Sequence, residues 1–259
     1  PAYEIRLSLV GSEMCIRDRM KTIIVIGAGI VGVSTAIWLQ RSGFKVTIID
    51  QKGPATGASH GNAGILAASS IIPVPNPSLI KKLPFYLLSK DSPVFFKMSY
   101  LPKMFPFLIS YLSKSNLREV NKYAERMTPL IFDTVCQHKS LAKGTGAEKF
   151  ISYQDYCFGY ETEQKFINDK RVWELRKKHG LPFEVVTGND FSKFDPFYKN
   201  LFDVIVKCKN HGKINDPGLY VKTLCDHFLS QGGELIISKV NDISSKNLND
   251  AIVKIESDS

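Results

Sequence analysis

The chain has 259 residues, 44% of them hydrophobic and 23% charged, which suits one or two ordinary globular domains and excludes disorder, collagen-like repeats and a disulfide-dense scaffold. Pro, Gly, Ser or Lys interrupts every apolar run before it reaches the ~18 residues of a membrane-spanning helix. Lys and Arg outnumber Asp and Glu by 34 to 25, a formal charge of +9, but they are spread along the chain without a zinc-finger or RNP-type signature, so nucleic acid is not an expected partner.

Residues 1–19 show neither the helical nor the strand period, and their mixed charges cancel. They also lack the h-region of a secretory signal. The stretch reads as a non-native leader, resembling translated adapter sequence, joined to a start at Met20.

The run TIIVI at 22–26 is short and β-branched, as in a strand buried on both faces. It leads into GAGIVG at 27–32, an apolar helix that stops at Ser42-Gly43, and a second strand, KVTIID, at 45–50. Strand, G-x-G-x-x-G, helix and strand, with an acid 18 residues after the last glycine, is the context of a dinucleotide-binding unit. Gly27 allows the tight turn, Gly29 lets a diphosphate approach bare backbone, and Gly32 lets the helix pack closely on the sheet. Unpaired N–H groups at the helix start, Ala28, Ile30 and Val31 included in the motif, favour the anion. Asp50 accepts from ribose hydroxyls, and its charge disfavours a 2′-phosphate.

After Asp50 comes a second loop rich in small residues, ending in GASHGNAG at 57–64, which can lie along an extended ligand. With IVIGAGIVG at 24–32 and Asp50, this loop resembles the FAD-dependent amine oxidoreductases of the D-amino-acid oxidase family, in particular the bacterial D-amino-acid dehydrogenases of small-subunit type. The match to the S-x-x-N-A-G flavin loop implies flavin-side roles for Ser59, Asn62, Ala63 and Gly64, and places Asp50, Gln51 and Lys52 near the ribose. His60 reads as a polar loop residue, because flavin oxidation of an amine does not require a histidine.

Residues 67–112 carry seven prolines amid Ile, Leu, Phe and Tyr, so helices there are short; 78–88 and 100–112 are the expected ones. They are read as packing over the cofactor, with peripheral contact on the inner face of the membrane as the competing reading. Next, 117–143 is expected as one long helix, 150–160 as strand, 163–179 as a second helix, 183–186 as extended, and 202–208 as a return strand. His138, His179 and His227 fall on these helices as surface residues. Tyr153, Tyr156 and Tyr160 are read as structural, buried residues, with reach to a substrate as the competing reading.

Asp216-Pro217 opens a further helix, with Tyr220, Leu224, Phe228, Val221, Cys225 and Leu229 on its packed faces, and Gly232-Gly233 ends it. A strand at 234–239 returns beside the first unit, followed by two short strands around Ser245 and Ile252. The family resemblance places the backbone of Val240 at the adenine. It also implies that more substrate-domain sheet and the substrate-carboxylate arginine follow beyond Ser259.

The five cysteines are odd in number and without a C-x-x-C pair, and read as free thiols of a reducing, cytoplasmic compartment; no metal site is expected. The fold implied is α/β: a Rossmann-like FAD-binding domain (a three-layer, glutathione-reductase-like half) with an inserted α+β substrate domain, truncated at the C-terminus. The expected boundaries are 20–70 and 215–259 for the FAD-binding part and 71–214 for the cap. The resemblance implies FAD, an amino-acid substrate losing hydride from Cα to flavin N5, and a quinone or other acceptor. Alternatives are another FAD oxidoreductase of the superfamily, acting on glycine, sarcosine, hydroxyproline or a 2-hydroxy acid, or an inactive truncated fragment. No side chain is assigned as catalytic acid or base.

Overall fold

A computed structural model of the chain describes residues 22–73, 97–193, 195–247 and 250–256. The first half runs β1 (Thr22–Ile26), α1 (Ile30–Arg41), β2 (Lys45–Asp50), β3 (Ile65–Leu66), α2 (Leu101–Ser113), α3 (Leu117–Ile131) and α4 (Thr134–Ala142). The chain continues with β4 (Ile151–Tyr153), β5 (Tyr156–Tyr160), α5 (Glu163–Asn168), α6 (Lys170–Lys178), β6 (Phe183–Thr187), α7 (Gly188–Phe191) and β7 (Val204–Cys208). It closes with β8 (Gly212–Ile214), α8 (Pro217–Ser230), β9 (Glu234–Ile237), β10 (Val240–Asn247) and β11 (Asp250–Ile255). Two compact units result: unit 1 is Pro1–Gly64, His138–Ser152 and Lys213–Ser259, and unit 2 is Ile65–Gln137 and Tyr153–Gly212. The sequence-based boundaries differ chiefly in residues 138–152, which group with unit 1.

Unit 1 is built on a parallel sheet of order β1-β2-β9. Thr22 lies opposite Lys45 and Ile26 opposite Ile49, while Thr47 faces Glu234 and Asp50 faces Ile237 on the other side of β2. β2 is the central strand, and its run Val46 to Ile49 is buried, as a strand covered on both faces requires. From α1, Val33, Ala36 and Ile37 enter the core, and from α8 Tyr220, Val221, Leu224, Cys225 and Phe228 do so. Leu229, expected on a packed face, is exposed instead. Asp216 caps α8 as expected, accepting from the Leu219 N–H at 2.8 Å, with Pro217 opening the helix. At its other end Gln40 Nε2 donates to the carbonyls of Phe228 and Gln231, both at 3.1 Å.

The 138–152 stretch is held to unit 1 by contacts that the sequence pattern does not display. Arg41, in the last turn of α1, donates to the carbonyls of Ser140 at 3.1 Å, Leu141 at 2.9 Å and Lys143 at 3.3 Å. These are carbonyls that the end of α4 leaves without an intrahelical partner. His138 is not a surface residue: it is half-buried, with Nδ1 3.1 Å from the Tyr220 hydroxyl. Burial pulls its pKa below the ordinary histidine value.

Unit 2 contains an antiparallel sheet of order β5-β7-β6, with Tyr156 and Phe183 both opposite Cys208. On one face Trp173, Val206 and Cys208 form a buried cluster with Tyr156, Phe158, Tyr160, Phe166 and Phe183. A second cluster joins Ile71, Ala124 and Leu181 to Met127, Ile131 and Leu175.

Two long helices expected from periodicity are broken. The one expected at 117–143 ends at Ile131 and restarts at Thr134. Pro129 has no N–H to give the preceding turn, and Asp133 starts α4 afresh by accepting from the Gln137 N–H at 3.0 Å. The one expected at 163–179 divides at Asp169, whose backbone leaves the helical course while its carboxylate accepts from the Tyr160 hydroxyl at 3.2 Å. The helix expected at 100–112 is present as α2, after a single 3₁₀ turn at Met98–Tyr100. The one expected at 78–88 lies outside the described residues. Among the described residues no helix is long and apolar enough to cross a membrane, and Cys136, Cys157, Cys208 and Cys225 are free.

Candidate functional site

β1 ends at Ile26, and the chain turns through Gly27 at φ +103°, a conformation that side-chain-bearing residues avoid. The Gly27 N–H donates to the Ile49 carbonyl at 2.7 Å, which fixes the turn between β1 and β2. A Cβ built at Gly27 would meet nothing within 4 Å, so the space outside the turn is open. One built at Gly32 would lie 1.9 Å from the Gly27 carbonyl oxygen, so only glycine lets the first turn of α1 sit on the strand end.

An α-helix leaves its first four N–H groups without intrahelical partners, and they carry its positive dipole end. At α1 the N-cap is Gly29, which has no side chain, and the first turn holds no acid. Ser59 supplies the missing oxygen from 29 residues further on, accepting from the Ile30 N–H at 2.9 Å. Val31 follows, 75% exposed.

Asp50 stands beside this turn. One carboxylate oxygen accepts from the Ala28 N–H at 2.9 Å, and the other from the Lys52 and Gly53 N–H groups, both at 2.8 Å. Burial would raise its pKa, but these three backbone donors outweigh burial and hold the carboxyl below its ordinary value. The Ala55 N–H donates to the Ala28 carbonyl at 3.0 Å, so both backbone groups of Ala28 are engaged.

The second loop is anchored at both ends. Ser59 is buried on α1, while the Gly64 carbonyl accepts from the Ile214 N–H at 2.7 Å. Between them Asn62 folds on its own loop, its Oδ1 accepting from the Gly64 N–H at 2.8 Å and its Nδ2 donating to the Ala58 carbonyl at 3.0 Å. Ala63, Gln51 and Lys52 are exposed. His60 is exposed too, with Nδ1 2.9 Å from where a Cβ on Gly218 would stand.

The structure thus gathers Gly27, Ala28, Gly29, Ile30, Gly32, Asp50 and Ser59 around one helix start. Val240 opens β10 opposite Ile255, two residues after Ser238, whose N–H donates to the Asp50 carbonyl at 2.9 Å. Two features escaped the sequence. Ala55, at φ +58°, pins the turn through its backbone alone. Ser59 carries no local signature of a cap for a helix so far upstream.

A family model described as FAD dependent oxidoreductase (DAO) matches residues 22–258. The chain belongs to the DAO family of FAD-dependent oxidoreductases. Among curated relatives, this DAO-family chain is 35% identical over 218 residues to a D-amino-acid oxidase of Bradyrhizobium diazoefficiens, covering 83% of the chain and 52% of that protein. It is 30% identical over 169 residues to D-amino acid dehydrogenase 1 of Mesorhizobium japonicum, covering 63% of the chain and 40% of that protein. The chain spans about half the length of the curated relatives it matches. Glycine oxidase of Geobacillus kaustophilus shares the fold at a TM-score of 0.58 and 16% identity, over 91% of this chain and 51% of that one. An FAD-bound L-alpha-glycerophosphate oxidase of Mycoplasma pneumoniae does so at 0.58 and 14%, over 92% and 50%. The DAO fold is therefore present, with mixed helices and sheets.

Proposed function

We propose that unit 1 holds the ADP portion of FAD, that unit 2 is part of a substrate domain, and that the whole protein oxidises the Cα–N bond of an amino acid. The observation that carries the cofactor assignment is the glycine turn at Gly27 to Gly32, open outside Gly27, with a carboxylate at its edge. The names of the relatives, D-amino-acid oxidase and D-amino acid dehydrogenase, support the substrate class.

The residues present fit the group. The N–H groups of Gly29, Val31 and Gly32 would hold the diphosphate at the positive helix end, whereas those of Gly27, Ala28 and Ile30, expected from the motif to be unpaired, donate to Ile49, Asp50 and Ser59 and shape the turn instead. Asp50, with Gln51 and Lys52, would hold the adenosine ribose, and its negative charge would repel a 2′-phosphate. Because the Ser59 oxygen accepts from Ile30, its own proton remains available to a ligand. Ser59, Asn62, Ala63 and Gly64 would line the flavin side, and the Val240 backbone would meet the adenine. Bound FAD supplies the hydride acceptor at N5 and a route for electrons to a quinone or other acceptor. His60, exposed and lying against Gly218, is given no part as acid or base.

Flavin fluorescence tests the cofactor assignment: this chain should quench FAD saturably, and Gly29→Val should lose that. Equal behaviour of the two overturns it. For the substrate class, the full-length protein loaded with FAD should be bleached anaerobically by D-alanine or D-proline. Bleaching by a 2-hydroxy acid alone overturns the amino-acid reading and favours the runner-up, a hydroxy-acid oxidoreductase of the same fold.

A further inference from the structure

Unit 2 holds a buried polar junction that the cofactor site does not use. Residues 67–71 lie outside regular structure, yet Ala68, Ser69 and Ile71 are buried, so the backbone there needs partners. For Ser69, side chains provide most of them, beside the Ile71 N–H, which donates to its carbonyl at 2.9 Å. The Ser69 N–H points at His211 Nε2 at 3.2 Å, and its carbonyl accepts from Arg176 Nε at 3.1 Å. The Ser69 hydroxyl lies 2.9 Å from the same Nε2, and on the far side of the ring Nδ1 is 2.8 Å from the Lys209 carbonyl. A carbonyl only accepts and a backbone N–H only donates, so these two contacts together require a proton on Nδ1 and a lone pair on Nε2. The ring is a neutral bridge, and no imidazolium satisfies both ends.

We propose that His211 is an acid-sensitive clamp: neutral, it locks residues 67–71 onto the end of β7, and protonated, it sets an N–H against the Ser69 N–H and releases them.

The groups around the ring bear on this. From β5, Tyr156 stacks on it at 5.8 Å and 18°. Asp155, just before β5, favours a charged ring, but its carboxylate already faces Lys209 at 2.6 Å and Lys207 at 3.7 Å. From α6, Arg176 opposes that charge, and it is itself fixed over Trp173 at 4.4 Å and Phe158 at 5.2 Å. Cys208, one turn of chain back on β7, is a buried thiol that burial keeps protonated. Burial is the largest influence on His211, and the balance lies below the ordinary histidine value of 6.5. With the folded-state value lowered, the contribution of His211 is complete above the unfolded value and is lost as pH falls below it.

Two measurements on the intact chain test the clamp. Ring NMR should show the Nδ1–H tautomer of His211 with a midpoint below that of an ordinary histidine. The exchange of the Ser69 amide, corrected for its intrinsic pH dependence, should report an open fraction rising by up to about tenfold per pH unit below the unfolded histidine value. His211→Gln keeps an acceptor oxygen and cannot titrate, so its corrected exchange should be flat with pH. An Nε2–H tautomer, a midpoint at or above the ordinary value, or the same pH profile in wild type and His211→Gln overturns the proposal. The ring measurement needs no variant and decides the matter even where His211→Gln does not fold.

Discussion

The proposed cofactor role needs Gly29 bare so that a diphosphate can reach the backbone, and a bare N-cap leaves α1 without its own capping oxygen. Ser59 resolves that conflict from the second loop. Ser59→Ala should therefore lower the stability of the ligand-free chain by about 1 kcal/mol, read from its urea midpoint, while Ser59→Thr should keep most of it. An unchanged midpoint for the alanine variant would show that water replaces the hydroxyl without loss. Asp50 acts on the same turn through three backbone donors. Its pKa is held low in the fold, so its contribution is present above the ordinary carboxylate value and fades as pH falls. Asp50→Asn should accordingly flatten the acid limb of the stability profile, measured by thermal melts at successive pH values. Residues of this kind were only partly legible. The glycines and Asp50 follow from the local strand–turn–helix pattern, whereas the Ser59 cap depends on how a loop returns after 29 residues, and the neutral His211 bridge on a contact 142 residues long in sequence.

Among elements, the parallel strands and α8 were readable because their determinants are local: a β-branched run for β1, and Asp216-Pro217 for the start of α8. The breaks at Phe132–Asp133 and at Asp169 were not, since helical periodicity passes through both; the first follows from Pro129 and a fresh start at Asp133, the second from the contact of Asp169 with Tyr160. The placement of α4 shows the same limit. Arg41 binds three carbonyls at its end, a role that no spacing announces. Arg41→Met keeps the aliphatic stem and removes the donors. Amide exchange within residues 138–152 should speed up in that variant while the β1–β2 amides stay protected. Uniform acceleration of both would mean that Arg41 supports unit 1 as a whole rather than this one attachment.

For the molecule as a whole, the α/β character of unit 1 and the α+β character of unit 2 were legible from the order of elements, while the assignment of 138–152 was not. Among the described residues β1 lies at one edge of the unit 1 sheet, and Ile24 and Ile26 on it are 40% and 47% exposed, so the strand is not buried on both faces as its β-branched run suggests. An apolar edge strand invites pairing with another chain. Light scattering on the 259-residue chain should show mass rising with concentration, and Ile24→Lys should lessen it; a mass independent of concentration would show the edge to be protected.

The pairing of β2 with β9 has a bearing on synthesis. Thr47 Oγ1 donates to Glu234 at 2.9 Å across 187 residues, and everything between them leaves the ribosome first. At translation speeds of about 5–20 residues per second, β2 waits of order ten seconds or more for its second neighbour. During that interval the opening pair of parallel strands has one flank without its eventual neighbour, which docks only after residue 237 has emerged.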